Sequence, residues 1–425
     1  MPSDSTEAPL DLRSIYEGKT ILLAGGSGFL GKVYLSLLLD RMPGIRKVYV
    51  LMRSRRLRTP RDRFELLVNK AFVFANLHEK LGASLSAFLT DKVEMVEGDV
   101  ALENLGMAPE VRDRLLREVD LFVNSAGLVD FNPELGEALS VNVEGSLHCA
   151  RFVRDSKKAK FLHVSTCFVS GKRNGEIEEA IDVGHTPLGT AFDPRAEYDG
   201  ALGWIDALVG QGGSIQDLEK RREARGRMIE EGMARAERLG WTNTYTYSKA
   251  LSEQLLKAEF SDISFSILRP SIVESALSYP FPGWNEGFNT CGPLAYLLGT
   301  WFRYLPAKIG NPFDVIPVDL VGKAMVLVGA TLLRGGAREV YQCASSGRNL
   351  LTIDQAARWT SESHRTYFRR QGVGFWQRWV RPHWTVRCVG DGFSWLRADR
   401  IESACAKIAR GFASRGWSGA SAKFE

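Results

Sequence analysis

Apolar residues in this chain fall into short runs separated by stretches of helical length. Thr20-Ile-Leu-Leu-Ala24 leads into a glycine-rich turn, Gly25 to Gly31, and then into Lys32 to Arg41, where Leu35, Leu38 and Leu39 share one helical face. This pattern predicts strand, tight turn and helix. Further apolar, β-branched runs occur at Lys47 to Met52, Val93 to Val96, Leu121 to Val123, Lys160 to Val164 and Ser264 to Leu268. Strands that alternate with helices predict an α/β fold with a doubly wound parallel sheet, because each parallel crossover needs a helix to cover the sheet face.

Two stretches interrupt the alternation. The first, near 59–89, carries a helical pattern through Phe64, Leu67, Ala71 and Phe74. The second, near 175–240, includes the highly charged Ser214 to Leu239, for which Ser214 and Asp217 offer caps. That helix reads as a solvated surface element or, alternatively, as a lid. After Pro270 the composition shifts towards Pro, Gly and Trp, which predicts a smaller substrate-facing unit.

Composition narrows the class only a little. The 425 residues are 44% hydrophobic and 25% charged, which excludes collagen-like, low-complexity and wholly disordered chains. A formal charge of +5, from 55 basic against 50 acidic residues, suits an anionic ligand or a membrane surface without choosing between them. Six cysteines, without a CxxC pair or close alternation with histidine, argue against a bound metal and a disulfide framework. The polar stretch Pro2 to Asp11 does not read as a secretory signal. Apolar runs such as Met325 to Leu333 fall short of the roughly 18 residues that cross a bilayer. A reduced, cytoplasmic location is expected, with peripheral membrane contact left open.

The chemistry starts at Gly25-x-x-Gly28-x-x-Gly31. Gly25 permits a tight turn, Gly28 a close approach to a pyrophosphate and Gly31 close helix–sheet packing, with the helix N-terminus facing negative charge. Alone this motif is weak, and an ordinary glycine-rich turn is its alternative. At the end of the second strand, 22 positions after Gly31, stand Arg53, Arg55 and Arg56 where an NAD site would place an acidic residue. Cationic multi-donor groups there favour NADPH over NADH; a solvated basic loop is the alternative. Asp99 is placed for the adenine amino group or as a helix cap.

Asn124-Ser125-Ala126-Gly127 ends the fourth strand in small residues that let the chain pass close to a cofactor. His163-Val-Ser165-Thr166 ends the fifth, and Tyr245-x-x-x-Lys249 follows. Residues four apart share a helical face, so the lysine can depress the phenol pKa and bind ribose hydroxyls, while Ser165 or Thr166 completes a donor pair on a carbonyl oxygen. Tyr247 competes for the phenol's role, but two residues from Lys249 it points to another side of the helix.

With these residues in hand the chain resembles the extended short-chain dehydrogenase/reductases, and more narrowly the fatty acyl-CoA reductases. The resemblance rests on Gly25 to Gly31, on Val164-Ser-Thr-Cys-Phe-Val-Ser-Gly-Lys-Arg-Asn-Gly175 with Glu176-Ile-Glu-Glu179, and on Asn243-Thr-Tyr-Thr-Tyr-Ser-Lys-Ala250. Leu268-Arg-Pro-Ser-Ile-Val273, Pro280-Phe-Pro-Gly-Trp284 and Ile316-Pro-Val-Asp319 add to it. It implies Thr166, Tyr245 and Lys249 as the catalytic set, and Asn142 as the asparagine that supports the lysine through a helix distortion and water. It implies cofactor contacts from Gly25, Ser27, Gly28, Phe29, Leu30, Gly31, Arg53, Arg56, Asp99, Val100, Ser125, Ala126, Asn142, Tyr245, Lys249, Pro270 and Ile272. Substrate contacts fall to Ser165, Thr166, Lys172 and Arg173. Cys167-Phe168 departs from the commoner Ala-Tyr.

The implied organisation is a Rossmann domain over 1–270, a smaller substrate-binding unit over 271–350 interleaved with it, and a helical, basic-aromatic segment over 351–425. The implied activity is NADPH-dependent reduction of a long-chain acyl-CoA to aldehyde, with aldehyde and alcohol both open as the end product. A reductase of carrier-protein-bound thioesters shares the fold and triad; a non-catalytic NADPH-binding sensor or membrane scaffold is the alternative of another class. A sugar-nucleotide epimerase has no use for Arg53. Alcohol-forming members usually carry a further C-terminal domain, so the chain reads as a short member or as part of a longer polypeptide. In Phe368 to Arg387, arginines interleave with Phe375, Trp376, Trp379 and Trp384, a pattern that suits a lipid headgroup interface or a packed helix. Nucleic-acid binding is not expected, since no recognised module or concentrated basic helix occurs.

Overall fold

The strand runs are continuously apolar because both faces of the sheet are covered. In the computed structural model, which describes residues 10–54, 59–173, 175–211, 218–286, 291–299, 304–371 and 387–389, all five residues of β1 (Thr20–Ala24) are buried. The other strands of the sheet are β2 (Lys47–Met52), β3 (Val93–Glu97), β4 (Leu121–Asn124), β5 (Lys160–Val164), β6 (Phe265–Pro270) and β7 (Val340–Cys343). They pair in parallel in the order β7-β6-β5-β4-β1-β2-β3. Ile21 in β1 lies opposite Val48 on one side and Leu121 on the other. The order reverses at β1 and β4, the switch point where open α/β sheets leave a crevice beyond their carboxyl ends.

Two apolar layers sandwich the sheet. On one face α1 (Phe29–Arg41) supplies Val33, Leu35 and Leu38. On the other face α2 (Gly145–Ser156) and α3 (Thr244–Glu259) bury Leu147, Phe152, Leu251 and Leu255. A fourth covering helix, α4 (Val318–Arg334), joins the first layer through Val321, Met325 and Val328. It packs closely on α1: a Cβ on Gly322 would lie 2.9 Å from Leu37 Cδ1.

The chain divides into two bodies, one of 1–286 with 316–344 and one of 287–315 with 345–425. The first body therefore holds much of what the sequence assigns to a substrate unit. Within it the Asp319 carboxylate accepts from the amides of Leu277, Ser278 and Tyr279 at 2.8, 3.1 and 3.2 Å. Burial opposes its charge, but these amides and the Ser278 hydroxyl hold its pKa below the usual value. The second body contains helices Cys291–Leu298 and Ile353–Arg370, which bury Leu298 and Ala357. It also contains the parallel strands Tyr304–Pro306 and Arg387–Val389.

The insertion near 59–89 is helical: Thr59 caps Pro60–Lys70 in a reciprocal box with Asp62. The charged helix spans Leu218–Leu239, and the caps expected at Ser214 and Asp217 lie outside the described residues. So do Phe375, Trp376, Trp379 and Trp384. Among the described residues no helix is long and apolar enough to cross a membrane.

Candidate active site

The glycine turn is built by close approach. Gly25 adopts a left-handed φ of +83°, and a Cβ there would sit 2.5 Å from the backbone of Ser125 and Ala126. A Cβ on Gly31 would meet the Gly25 carbonyl oxygen at 2.1 Å. Gly28 donates its N–H to that carbonyl at 2.9 Å and then starts α1, whose N-terminus has no side-chain cap. Ser27 and Gly28 are exposed at the rim, Leu30 is half-buried, and Phe29 stacks on Trp284 with 5.4 Å between ring centroids. Ser125 donates to Ala24 O at 3.0 Å and Ala126 to Asn124 Oδ1 at 3.1 Å, so the small-residue loop is clamped against the turn. Uncapped helix amides and a cradle without side chains fit a dinucleotide pyrophosphate.

Beyond β2 and β3, Arg53 and Asp99 meet: Arg53 Nη1 lies 3.8 Å from Asp99 Oδ2, with the arginine side chain 67% exposed. Asp99 Oδ1 accepts from Ala101 N at 3.0 Å, so the carboxylate also caps its own loop. Asn104, Leu105 and Gly106 follow in three successive left-handed conformations (φ 53°, 60° and 60°), returning the Leu105 carbonyl to Asp99 N at 2.8 Å. Val100 is buried, and its carbonyl accepts from His148 Nδ1 at 2.9 Å. Arg56 lies outside the described residues.

Tyr245 and Lys249 stand in the first turns of α3, which Asn243 caps by accepting from Thr246 N at 2.9 Å. Lys249 is buried and donates to Val164 O, the end of β5, at 3.1 Å. The Thr166 hydroxyl is near enough to the Tyr245 phenol to lower its pKa, and it donates to Pro270 O at 3.4 Å. Next to it, the Ser165 amide donates to Leu268 O at 2.8 Å, while its buried hydroxyl has no partner among the described residues. Ile272 lies just beyond, in the short strand Ile272–Glu274. Asn142 occupies a π-helical turn, Leu139–Glu144. From there its Oδ1 accepts from Leu128 N at 2.9 Å, and its Nδ2 donates to Leu128 O at 3.2 Å and to Ser248 Oγ at 3.0 Å.

Burial pushes the Tyr245 phenol up to about 12, with the Thr166 hydroxyl acting in the opposite direction. Burial lowers Lys249 to about 8, opposed chiefly by the charge of Glu253. The rival Tyr247 faces elsewhere: fully buried against Trp241, it donates to Glu197 Oε1 at 2.9 Å.

The residues expected to meet substrate divide. Ser165 and Thr166 line the Tyr245 side, while Lys172 faces the charged helix and Arg173 is held by the loop it starts. Lys172 Nζ lies 3.7 Å from Glu237. Arg173 donates to Pro187 O at 3.1 Å and to Thr186 O at 3.3 Å, and lies 3.5 Å from Asp182. Under this loop is a cavity of about 800 Å³ lined in part by Val169, Arg173, Trp241, Ala250, Gln254 and Arg269. Two features escape sequence reasoning. Gly127 presses on the lysine, with a Cβ there 3.1 Å from Lys249 Nζ. Arg269 and Glu253 form a buried ion pair; the only sequence hint is that Glu253 lies four residues after Lys249.

A doubly wound sheet with this glycine turn and a Thr, Tyr, Lys set beyond its carboxyl edge is the architecture of an extended short-chain dehydrogenase/reductase, an oxidoreductase with a nicotinamide cofactor. Residues 23–325 match the male sterility protein family model. The chain belongs to the fatty acyl-CoA reductase family. It is 33% identical over 346 residues to probable fatty acyl-CoA reductase 5 of Arabidopsis thaliana, covering 79% of this chain and 68% of that one. It is 32% identical over 347 residues to the alcohol-forming fatty acyl-CoA reductase of Simmondsia chinensis, covering 79% and 69%. Among solved structures, the fold resembles the terminal R domain of the myxalamid PKS-NRPS biosynthetic pathway, with a TM-score of 0.57 and 20% identity over 96% of this chain and 79% of that one.

Proposed function

We propose that this protein reduces the carbonyl of a long-chain acyl-CoA thioester with NADPH, releasing CoA and an aldehyde, and reduces the aldehyde on to the alcohol in the same site. The observation that carries this reading is the convergence of Thr166, Tyr245 and Lys249 beside the glycine cradle. When bound, the dinucleotide supplies hydride. Gly25, Gly28 and Gly31 leave room for its pyrophosphate, and Arg53 offers a guanidinium to the 2′-phosphate. Lys249 holds ribose hydroxyls with its ammonium.

Tyr245 and Thr166 donate hydrogen bonds to the substrate carbonyl oxygen and stabilise the negative charge that develops on it. A phenol raised to about 12 is protonated at neutral pH and can therefore act as the general acid. It delivers its proton to that oxygen; collapse of the hemithioacetal then breaks the C–S bond, and the thiol leaves with a proton. Each two-electron step consumes one NADPH and one proton. The test is product identification by mass spectrometry after incubation with NADPH and a mixed acyl-CoA pool, alongside the same acyl groups on a carrier protein. Fatty aldehyde or alcohol from the CoA esters is expected; turnover only of the carrier-bound esters overturns the substrate assignment.

A further inference from the structure

Arg269 and Glu253 form an ion pair in which both side chains are nearly excluded from solvent, at 6% and 2% exposure. Arg269 Nε lies 3.1 Å from both carboxylate oxygens, and Nη2 donates to Oε2 at 2.5 Å. The same Nη2 donates to Ala180 O at 3.0 Å in the loop after β5. The main chain here grips a third element: Arg269 O accepts from Cys167 Sγ at 2.9 Å, and Pro270 O faces the Thr166 hydroxyl. One short piece of β6 thus joins the helix bearing Tyr245 and Lys249 to the segment bearing Thr166.

Stability alone is a weak reason to keep such a pair, because the cost of desolvating two charges rivals their attraction and apolar replacements are often neutral. The surroundings of Lys249 give a better one. Tyr245 lies on its own helix, Cys149 faces it from α2, His163 and the Val164 carbonyl from β5, and Gly127 from the loop after β4. Burial keeps the Cys149 thiol and the His163 ring neutral. Glu253, one helical turn beyond Lys249, is the fixed negative charge among these groups, and Arg269 fixes its orientation.

We propose that Arg269 and Glu253 are positioning residues: Arg269 holds α3 in register against β6 and Thr166, and the Glu253 carboxylate, one helical turn along α3, balances the buried Lys249 ammonium. The proposal rests on the reading of Tyr245 and Lys249 as the reacting pair. The carboxylate favours the charged lysine against the burial that lowers it to about 8.

The test compares wild type with Glu253→Gln, Glu253→Asp and the double variant Arg269→Met/Glu253→Leu. NADPH affinity by fluorescence and kcat/KM for palmitoyl-CoA are followed from about pH 6 to 10, with melting temperatures in parallel. The alkaline limb of both profiles is expected to move down by about one pH unit in Glu253→Gln, which leaves Arg269 unbalanced, by less in the double variant, which removes both charges, and to stay in place in Glu253→Asp. The double variant is expected to melt within a few degrees of wild type. A double variant that folds and keeps the wild-type limb shows the pair to be structural only and overturns the proposal. If Glu253→Gln does not fold, the double variant decides. If palmitoyl-CoA is not turned over at all, the substrate reading fails while the affinity profile still reports Lys249.

Discussion

The ammonium of Lys249 donates to the main-chain carbonyl of Val164 at 3.1 Å, tying the helix that bears Tyr245 to the last residue of a central strand. The tether fixes where the phenol stands relative to the Thr166 hydroxyl two residues past that strand. Reach is thereby set by the sheet and not by a loop.

Replacing Tyr245 by Phe removes the proposed proton donor and leaves the glycine cradle untouched. NADPH oxidation with palmitoyl-CoA is expected to fall by roughly 10²- to 10⁴-fold, with NADPH affinity changed only a few-fold. Stopped assays with fluorescence titration check this, and full activity in the variant refutes the assignment.

Arg53→Ala removes a guanidinium that is largely exposed and pairs only loosely with Asp99. The KM for NADPH is expected to rise about tenfold or more, with the KM for NADH nearly unchanged. Equal shifts for both cofactors would remove the role given to the 2′-phosphate.

Gly127→Ala is expected to act on catalysis more than on folding. The added carbon would lie 3.1 Å from Lys249 Nζ and 3.4 Å from Asn142 Oδ1, so the lysine or the asparagine must give way. A drop in kcat of about tenfold with a small change in melting temperature is expected; a variant indistinguishable from wild type in kcat would show that the lysine accommodates the methyl group freely.

The lysine also sets a pH dependence. Its folded pKa of about 8 lies below the ordinary 10.5, so the unfolded chain binds more protons between these values. Its contribution makes the fold more stable as pH rises through that window, while activity, which needs the ammonium, falls above about pH 8. Denaturant midpoints and kcat/KM profiles across the window should move in opposite directions.

The sheet was readable because buried parallel strands are apolar on both faces, and Thr20-Ile-Leu-Leu-Ala24 shows this directly. Val340-Tyr-Gln-Cys343 was not readable as a strand: it is four residues long, half-buried for most of its length and at the sheet edge. The glycine turn and the Tyr245/Lys249 spacing are local patterns, so they stand out. Glu253 and Arg269 are not: on a helix and a strand 16 residues apart, each resembles a surface charge until the fold buries both. Arg173 shows how context alters a cation read from sequence. It looks like a free cation for a substrate, yet its loop turns at Gly171 and Gly189, both with positive φ, and brings the Thr186 and Pro187 carbonyls to it.

The left-handed run Asn104-Leu105-Gly106 bears on how this protein could be re-engineered. Leu105 is wholly buried and its carbonyl is committed to Asp99 N, so the segment has little freedom to lengthen or shorten without releasing the carboxylate beside Arg53. Exchanging one dinucleotide preference for the other should therefore be attempted by side-chain replacement on the Arg53 side, and grafting a loop of different length after β3 should cost affinity for both coenzymes alike.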